Sequence, residues 1–441
     1  MRLRSKGSIL IAGALFLSMA SSAQKVKFTE YDLDNGLHVI LHQDNTSPVV
    51  AVSVMYHVGS KNETPGLTGF AHFFEHLLFE GSKNIKRGEF MKIVSANGGS
   101  NNANTTQDRT FYYEEFPSNQ LKLGLWLESE RMMHPVINEV GVNTQREVVK
   151  EEKRMRVDNR PYGHLMEEVF KNLFVKHPYH WVPIGSMEDI NRAKLSEFQA
   201  FFKKFYVPGN AVLSISGDLD IDSTKKLIQS YFGPIPGGPE VVQPSIAEMP
   251  ITQEIIDTAY DANIQLPAIL TAYRTPAENS KDAVTLGMIS SILSGGASSR
   301  LYKELVDDKK TALQVACFNY SLEDYGAYLT LAIPNGTTPL DSLLKDIDAN
   351  IKDIQTNLIS EQDYQKLLNQ AEMSFVNSSN SNLGVAENLA NGYTFFNKNT
   401  NHINEQLKEI RSVTREQIRD VARKYLNKNQ RLVLYYLPKA K

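Results

Sequence analysis

The chain has 441 residues, 41% of them hydrophobic and 22% charged, with a formal net charge of −3. That length allows two or three domains, and that balance is ordinary for a globular protein. A mildly acidic chain has no electrostatic footprint for nucleic acid, and the single cysteine, Cys317, excludes an intrachain disulfide, so the fold must rest on packing.

The first 23 residues read as a secretory signal peptide. Arg2, Arg4 and Lys6 make a positive start, Ile9 to Met19 is apolar but short for a membrane span, and Ser21-Ser22-Ala23 offers small residues for cleavage after Ala23. No cysteine lies near that cut, so a lipoprotein anchor is not expected. The mature chain keeps 44 of the 47 basic residues against 50 acidic ones, a net charge of −6, and is expected to be exported to the periplasm without a stable membrane anchor.

Strands are predicted at His38–His42 and Val49–Val58. A glycine-bearing loop with Gly66 and Gly69 then leads into a helix that carries His72-Phe73-Phe74-Glu75-His76 and stops at Gly81. Histidines at i and i+4 project from one helical face, so both imidazoles reach one metal ion, and Glu75 lies one step from it. Two neutral nitrogen ligands, an open position for water and a carboxylate to take the water's proton are the parts of a hydrolytic zinc site. H-x-x-E-H is the recognised inverzincin signature. Alone, such a motif also fits a solvated surface helix. Here Phe70, Phe73, Phe74, Leu77, Leu78 and Phe79 make the helix apolar nearly all round, and buried ionisable groups are costly unless paired or metal-bound.

The segment from Gly98 to Thr106 is too polar and glycine-rich for a core strand and reads as a loop before the strand Thr110–Glu115. Amphipathic helices follow at Leu121–Met132 and Leu195–Phe205, and a charged helix spans Thr144 to Arg154. A catalytic zinc usually takes a third protein ligand. Within the charged helix, Glu147 and Glu151 read as a solvated, salt-bridged face, whereas Glu152 follows His76 after 75 intervening residues.

His72, Glu75, His76 and a Glu about 75 residues later resemble the pitrilysin/insulinase family of metallopeptidases, in particular its mitochondrial-processing-peptidase-like bacterial branch. Matching text runs on through Gly98-Gly99-Ser100-Asn101-Asn102-Ala103, Arg146-Glu147-Val148-Val149, Asp158-Asn159-Arg160-Pro161-Tyr162-Gly163 and Ser299-Arg300-Leu301-Tyr302, so the resemblance covers nearly all of the chain after residue 25. It implies one Zn²⁺ per chain on His72, His76 and Glu152, with Glu75 as the general base. It also implies that the Gly98 segment borders the zinc and pairs with substrate as an added strand, with Asn102 and Ala103 as contact residues. Many members carry a supporting Glu where this chain has Gln145. Active members also use an Arg and a Tyr from the C-terminal half of the assembly, and the corresponding places here are Val306 and Gln314.

The sequence repeats itself loosely at an offset of roughly 210–220 residues. The strand Ala268–Arg274 and a helix from Asp282 to Leu293 echo the first half's strand and motif helix. The strand Arg431–Tyr436 echoes Ala211–Ser216. Gly233 to Pro250 holds five prolines and three glycines, the composition of a linker. Each half, at 24–232 and 254–441 and joined by a linker at 233–253, therefore reads as α+β, and the resemblance implies two similar domains, each a mostly antiparallel sheet packed with helices. The implied shape is half of a clamshell. The second half has no His or Glu between Thr285 and Lys303, so one metal site per chain is expected.

The function expected is an exported zinc endopeptidase that cleaves unfolded peptides. A maturation protease dedicated to one peptide precursor is an alternative, as is a non-catalytic scaffold of the same fold, although scaffolds typically lose the metal motif. Because the chain has the length of one half of the clamshell, a second subunit is expected. With Val306 and Gln314 in place of the Arg and Tyr, a heterodimer with a related zinc-less subunit is favoured over a homodimer.

Overall fold

The computed structural model describes residues 25–439, so the expected signal peptide lies outside the described residues. Eleven strands form two sheets. The first contains β1 (Thr29–Asp32), β2 (His38–Gln43), β3 (Val49–Tyr56), β4 (Ser100–Thr105), β5 (Thr110–Pro117) and β6 (Ala211–Gly217), in the order β1-β2-β6-β3-β5-β4. The second contains β7 (Ile255–Asp261), β8 (Ala268–Pro276), β9 (Ala312–Ser321), β10 (Tyr325–Pro334) and β11 (Arg431–Pro438), in the order β7-β11-β8-β10-β9. Only β2–β6 and β7–β11 pair in parallel. Without β1, the two orders are the same, strand for strand, which is the duplication expected from the sequence. No helix or strand occurs between Phe232 and Ile255.

The central strands are mostly apolar on both faces because both faces are covered. Val50, Val52, Val54 and Tyr56 of β3 face the core shared with the motif helix. Met55 turns the other way and packs with Ile40, Phe111 and Val212 against Val385, Leu389 and Phe395 of the helix Asn382–Phe395, which belongs to the second half. The second sheet is covered reciprocally. Ile269 and Tyr273 of β8 face its own helices, while Ala268, Leu270 and Ala272 pack on Leu165, Val169 and Phe170 of the helix Leu165–Leu173 from the first half. Each half thus lends a helix to the other's sheet.

A buried charge cluster ties the halves at the β9–β10 turn. The Lys61 ammonium, 1% exposed, meets Asp108 at 3.2 Å and Asp324 at 3.5 Å and also pairs with Glu323. Tyr179 donates to Asp108 at 2.6 Å, and His57 Nε2 lies 2.6 Å from Glu323. Replacing Lys61 with Met would leave these carboxylates facing one another without the ammonium between them. The substitution is expected to cost about 3 kcal/mol of stability, read as a lower urea midpoint.

Two details differ from the sequence reading. The motif helix ends at Leu77, not at Gly81. Gly81 instead has φ +125° where the chain turns back, and a Cβ there would lie 2.6 Å from the Ile85 carbonyl oxygen. The polar segment expected as a loop is strand β4 at the sheet's edge. Its composition misled because the strand is half solvated, and only Ala103 enters the core.

Candidate metal centre

The motif helix Phe70–Leu77 is fixed from three sides. Phe70, Phe73, Phe74 and Leu77 are buried, and the phenyl rings pack on the helix Leu195–Phe205: Phe70 and Phe73 lie 4.4 and 4.5 Å from Phe198 between ring centroids. Tyr112 of β5 donates to the Phe74 carbonyl at 2.8 Å. At the amino end, Gly69 is in the left-handed region at φ +89° and offers no side-chain cap. The buried carboxylate of Glu63 takes that role, accepting from the Gly69 and Ala71 amides at 2.9 Å each.

With the apolar face spent on the core, His72, Glu75 and His76 share the remaining face. The helix Glu139–Lys153 runs beside it, anchored by Val142 and Val149 in the core and by Arg146, which donates to the Ile190 and Ala193 carbonyls at 3.0 and 2.8 Å. This brings Glu152 to the histidines. His72 Nε2 and His76 Nε2 are 3.3 Å apart, and Glu152 Oε2 lies 2.9 Å from the latter and 3.6 Å from the former. Zinc bonds of 2.0–2.2 Å in tetrahedral geometry demand ligand-to-ligand edges of about 3.3–3.6 Å, so two of the three edges fall in that range and the third is slightly short. The donor set fits a zinc ion.

The electrostatics agree. Burial, with help from His76, pushes His72 down to about 4, so its imidazole is neutral and has a lone pair to offer. The bond to His76 holds Glu152 below the usual carboxylate range. Burial raises Glu75, opposed by a hydrogen bond from Thr105 Oγ1 to its Oε2 at 2.6 Å. A carboxylate raised toward neutrality suits a group that must both take and return a proton. His72 Nδ1 is buried and meets no hydrogen-bond acceptor among the described residues.

Glu147 and Glu151 are solvent-exposed and paired with Lys150 and Arg154, as expected. Gln145 does not touch the three ligands. Its amide donates to Glu80 Oε1 at 2.5 Å. The Asn102 side chain is exposed, while that of Ala103 is buried, so Ala103 has only its backbone to offer a ligand. β4 pairs with β5 on one side and is the sheet's last strand on the other, so its outer edge beside Glu75 has no partner strand among the described residues, and the Ala103 amide already donates to Asn102 Oδ1 at 2.9 Å. Val306 is partly buried against the second core, and Gln314 is exposed on β9.

Sequence reading missed Thr105 and Glu63. Neither carries a motif signal, because both act through contacts that only the tertiary fold makes. Thr105→Val should leave zinc content unchanged and lower turnover about tenfold, by freeing the Glu75 carboxylate from a charge-assisted hydrogen bond. Steady-state kinetics with parallel metal analysis measure both. A second histidine–carboxylate group, His402, Glu405 and Glu409, also gathers within 4.8 Å. There the Glu405 oxygens are taken by Asn399 and Asn401, at 2.8 and 3.1 Å.

Comparison with known proteins decides the family. Residues 38–180 match the description "Insulinase (Peptidase family M16)", and residues 192–371 match "Peptidase M16 inactive domain". The zinc protease PqqE of Helicobacter pylori is 34% identical over 388 residues, 87% of each chain. This chain belongs to the insulinase (M16) peptidase family. An uncharacterised zinc protease of Bacillus subtilis, YmxG, is 24% identical over 92% of this chain and 97% of its own. Among solved structures, a protease from Helicobacter pylori superposes with a TM-score of 0.88 at 30% identity, over 93% of this chain and 99% of that one. The periplasmic protease PqqL of Escherichia coli shares the fold, with a TM-score of 0.76 at 16% identity. This chain covers 48% of its length. The M16 assignment also accounts for the two sheets of matching strand order.

Proposed function

We propose that this M16 protein is a zinc endopeptidase for unfolded peptides, with Zn²⁺ on His72, His76 and Glu152. The observation that carries the reading is three donor atoms, spaced 2.9, 3.3 and 3.6 Å apart, next to Glu75 and an open strand edge. Bound zinc supplies a Lewis acid that polarises a carbonyl and lowers the pKa of a water molecule. Glu75 takes the proton from the attacking water and delivers it to the departing amide nitrogen. Thr105 holds the Glu75 carboxylate in place for both transfers. β4 supplies the backbone ladder that holds an extended peptide with little regard to its sequence, and the exposed Asn102 side chain borders it.

The zinc-bearing part is 24–232, followed by the linker 233–253 and the metal-free part 254–441. The basic, apolar and small-residue order of residues 1–23 supports export to the periplasm. Among the described residues no helix is long and apolar enough to cross a membrane.

The partner is a related subunit that lacks zinc ligands and carries the Arg and Tyr absent at Val306 and Gln314. Assay of the purified chain alone on an unfolded peptide, then with such a relative added, tests the whole reading. The added subunit should raise the rate by about 10²–10³, the worth of one oxyanion donor. High activity from the lone chain, unchanged by the relative, would favour a homodimer. No cleavage in either state would reject the peptidase reading.

A further inference from the structure

Beside the metal centre stands a charged side chain, Arg156, that the chemistry described above does not use. Arg156 lies one helical step beyond Glu152, in the π-helical turn Arg154–Asp158 that ends the Glu139–Lys153 helix. π-Helical turns of this kind recur at functional sites. The two oxygens of Glu152 divide their work. Oε2 faces the histidine nitrogens, and Oε1 forms an ion pair with the Arg156 guanidinium, 2.8 Å from Nη1. The Arg156 side chain is nonetheless 74% exposed, and Glu152 is its sole salt-bridge partner among the described residues. A guanidinium has five N–H donors in a rigid fork, so most of them remain for a second planar anion. Its pairing with Oε1 sets the guanidinium one carboxylate away from the two histidine nitrogens. The opposite wall, β4, reads Ser-Asn-Asn-Ala-Asn-Thr and carries no charge.

We infer that Arg156 selects peptides that carry a carboxylate next to the cleaved bond, supplied either by an acidic side chain or by the peptide's own C-terminus. The carboxylate would take the free donors of the fork while Glu152 keeps the other side. The inference rests on the peptidase reading and adds a substrate class to it.

Two sets of fluorogenic peptides test it with the zinc-loaded protein and its partner subunit. One set exchanges Glu for Gln at positions flanking the cleaved bond. The other exchanges a free C-terminus for an amide. The carboxylate member of one set should be preferred by about fivefold or more in kcat/KM, and the set that responds identifies the source of the carboxylate. In Arg156→Gln that ratio should fall below about twofold with zinc still at one per chain, while Arg156→Lys should keep part of it. The same peptides are also titrated by anisotropy onto zinc-loaded Glu75→Gln, with and without Arg156→Gln, so that preference is read without hydrolysis. Cleavage with no carboxylate preference, or a preference unchanged in Arg156→Gln, would overturn the inference and leave the peptidase reading standing. Loss of zinc from Arg156→Gln would also overturn it, by assigning Arg156 to the support of Glu152. A binding preference that depends on Arg156 in a protein that cleaves nothing would remove the peptidase reading and, with it, the inference as a statement about a cleaved bond, leaving Arg156 as a binder of peptide carboxylates.

Discussion

Glu75→Gln is expected to keep its zinc and to lose peptidase activity by about 10³, within the range that a general base contributes. The amide is close in size to the carboxylate and still accepts the Thr105 hydroxyl through its oxygen, so the helix and the three ligand side chains should keep their places. It has no basic oxygen to take a proton from water and none to return to the leaving nitrogen. The two readouts separate base from ligand. Metal analysis of the purified variant should give the wild-type stoichiometry, while turnover falls to the level of a zinc-loaded protein without a base. If zinc were lost along with activity, Glu75 would be holding the metal. Activity near wild type would assign the proton transfer to another group.

Glu152→Gln should have the larger effect, losing both metal and activity. Its Oε2 sits against both histidine nitrogens, and its side chain is only 14% exposed. An amide oxygen brings no charge to offset a divalent cation, and two neutral imidazoles alone bind far more weakly than two imidazoles and a carboxylate. The side chain of Glu151, the next residue along the helix, is 59% exposed and paired with Arg154, so Glu151→Gln should change neither readout. Full zinc retention in Glu152→Gln would remove Glu152 from the ligand set.

The constellation was legible in the sequence to the extent that helical periodicity fixes it. His72, Glu75 and His76 share a face because 3.6 residues make a turn, and the surrounding phenylalanines fix which face is left over. Glu152 required family resemblance, since periodicity does not say which of three glutamates on a charged helix turns inward. The Glu139–Lys153 helix does so because Val142, Val149 and Arg146 set its rotation. The edge strand β4 escaped because hydrophobic alternation vanishes where one face is solvated and only Ala103 is apolar. The exchange of covering helices between halves left a trace in β3 and β8, which are mostly apolar on both faces, but composition says only that both faces are covered and not by what. Glu63, Thr105 and Lys61 carry no signal at all. Their partners lie 6 to 262 residues away, and only the folded chain selects them.

A crystal of the purified protein measured on both sides of the zinc absorption edge would locate the metal directly. One anomalous peak per chain is expected, between His72 Nε2, His76 Nε2 and Glu152 Oε2. A peak only at His402, Glu405 and Glu409, or no peak after zinc has been supplied, would show that these three residues do not form the metal centre.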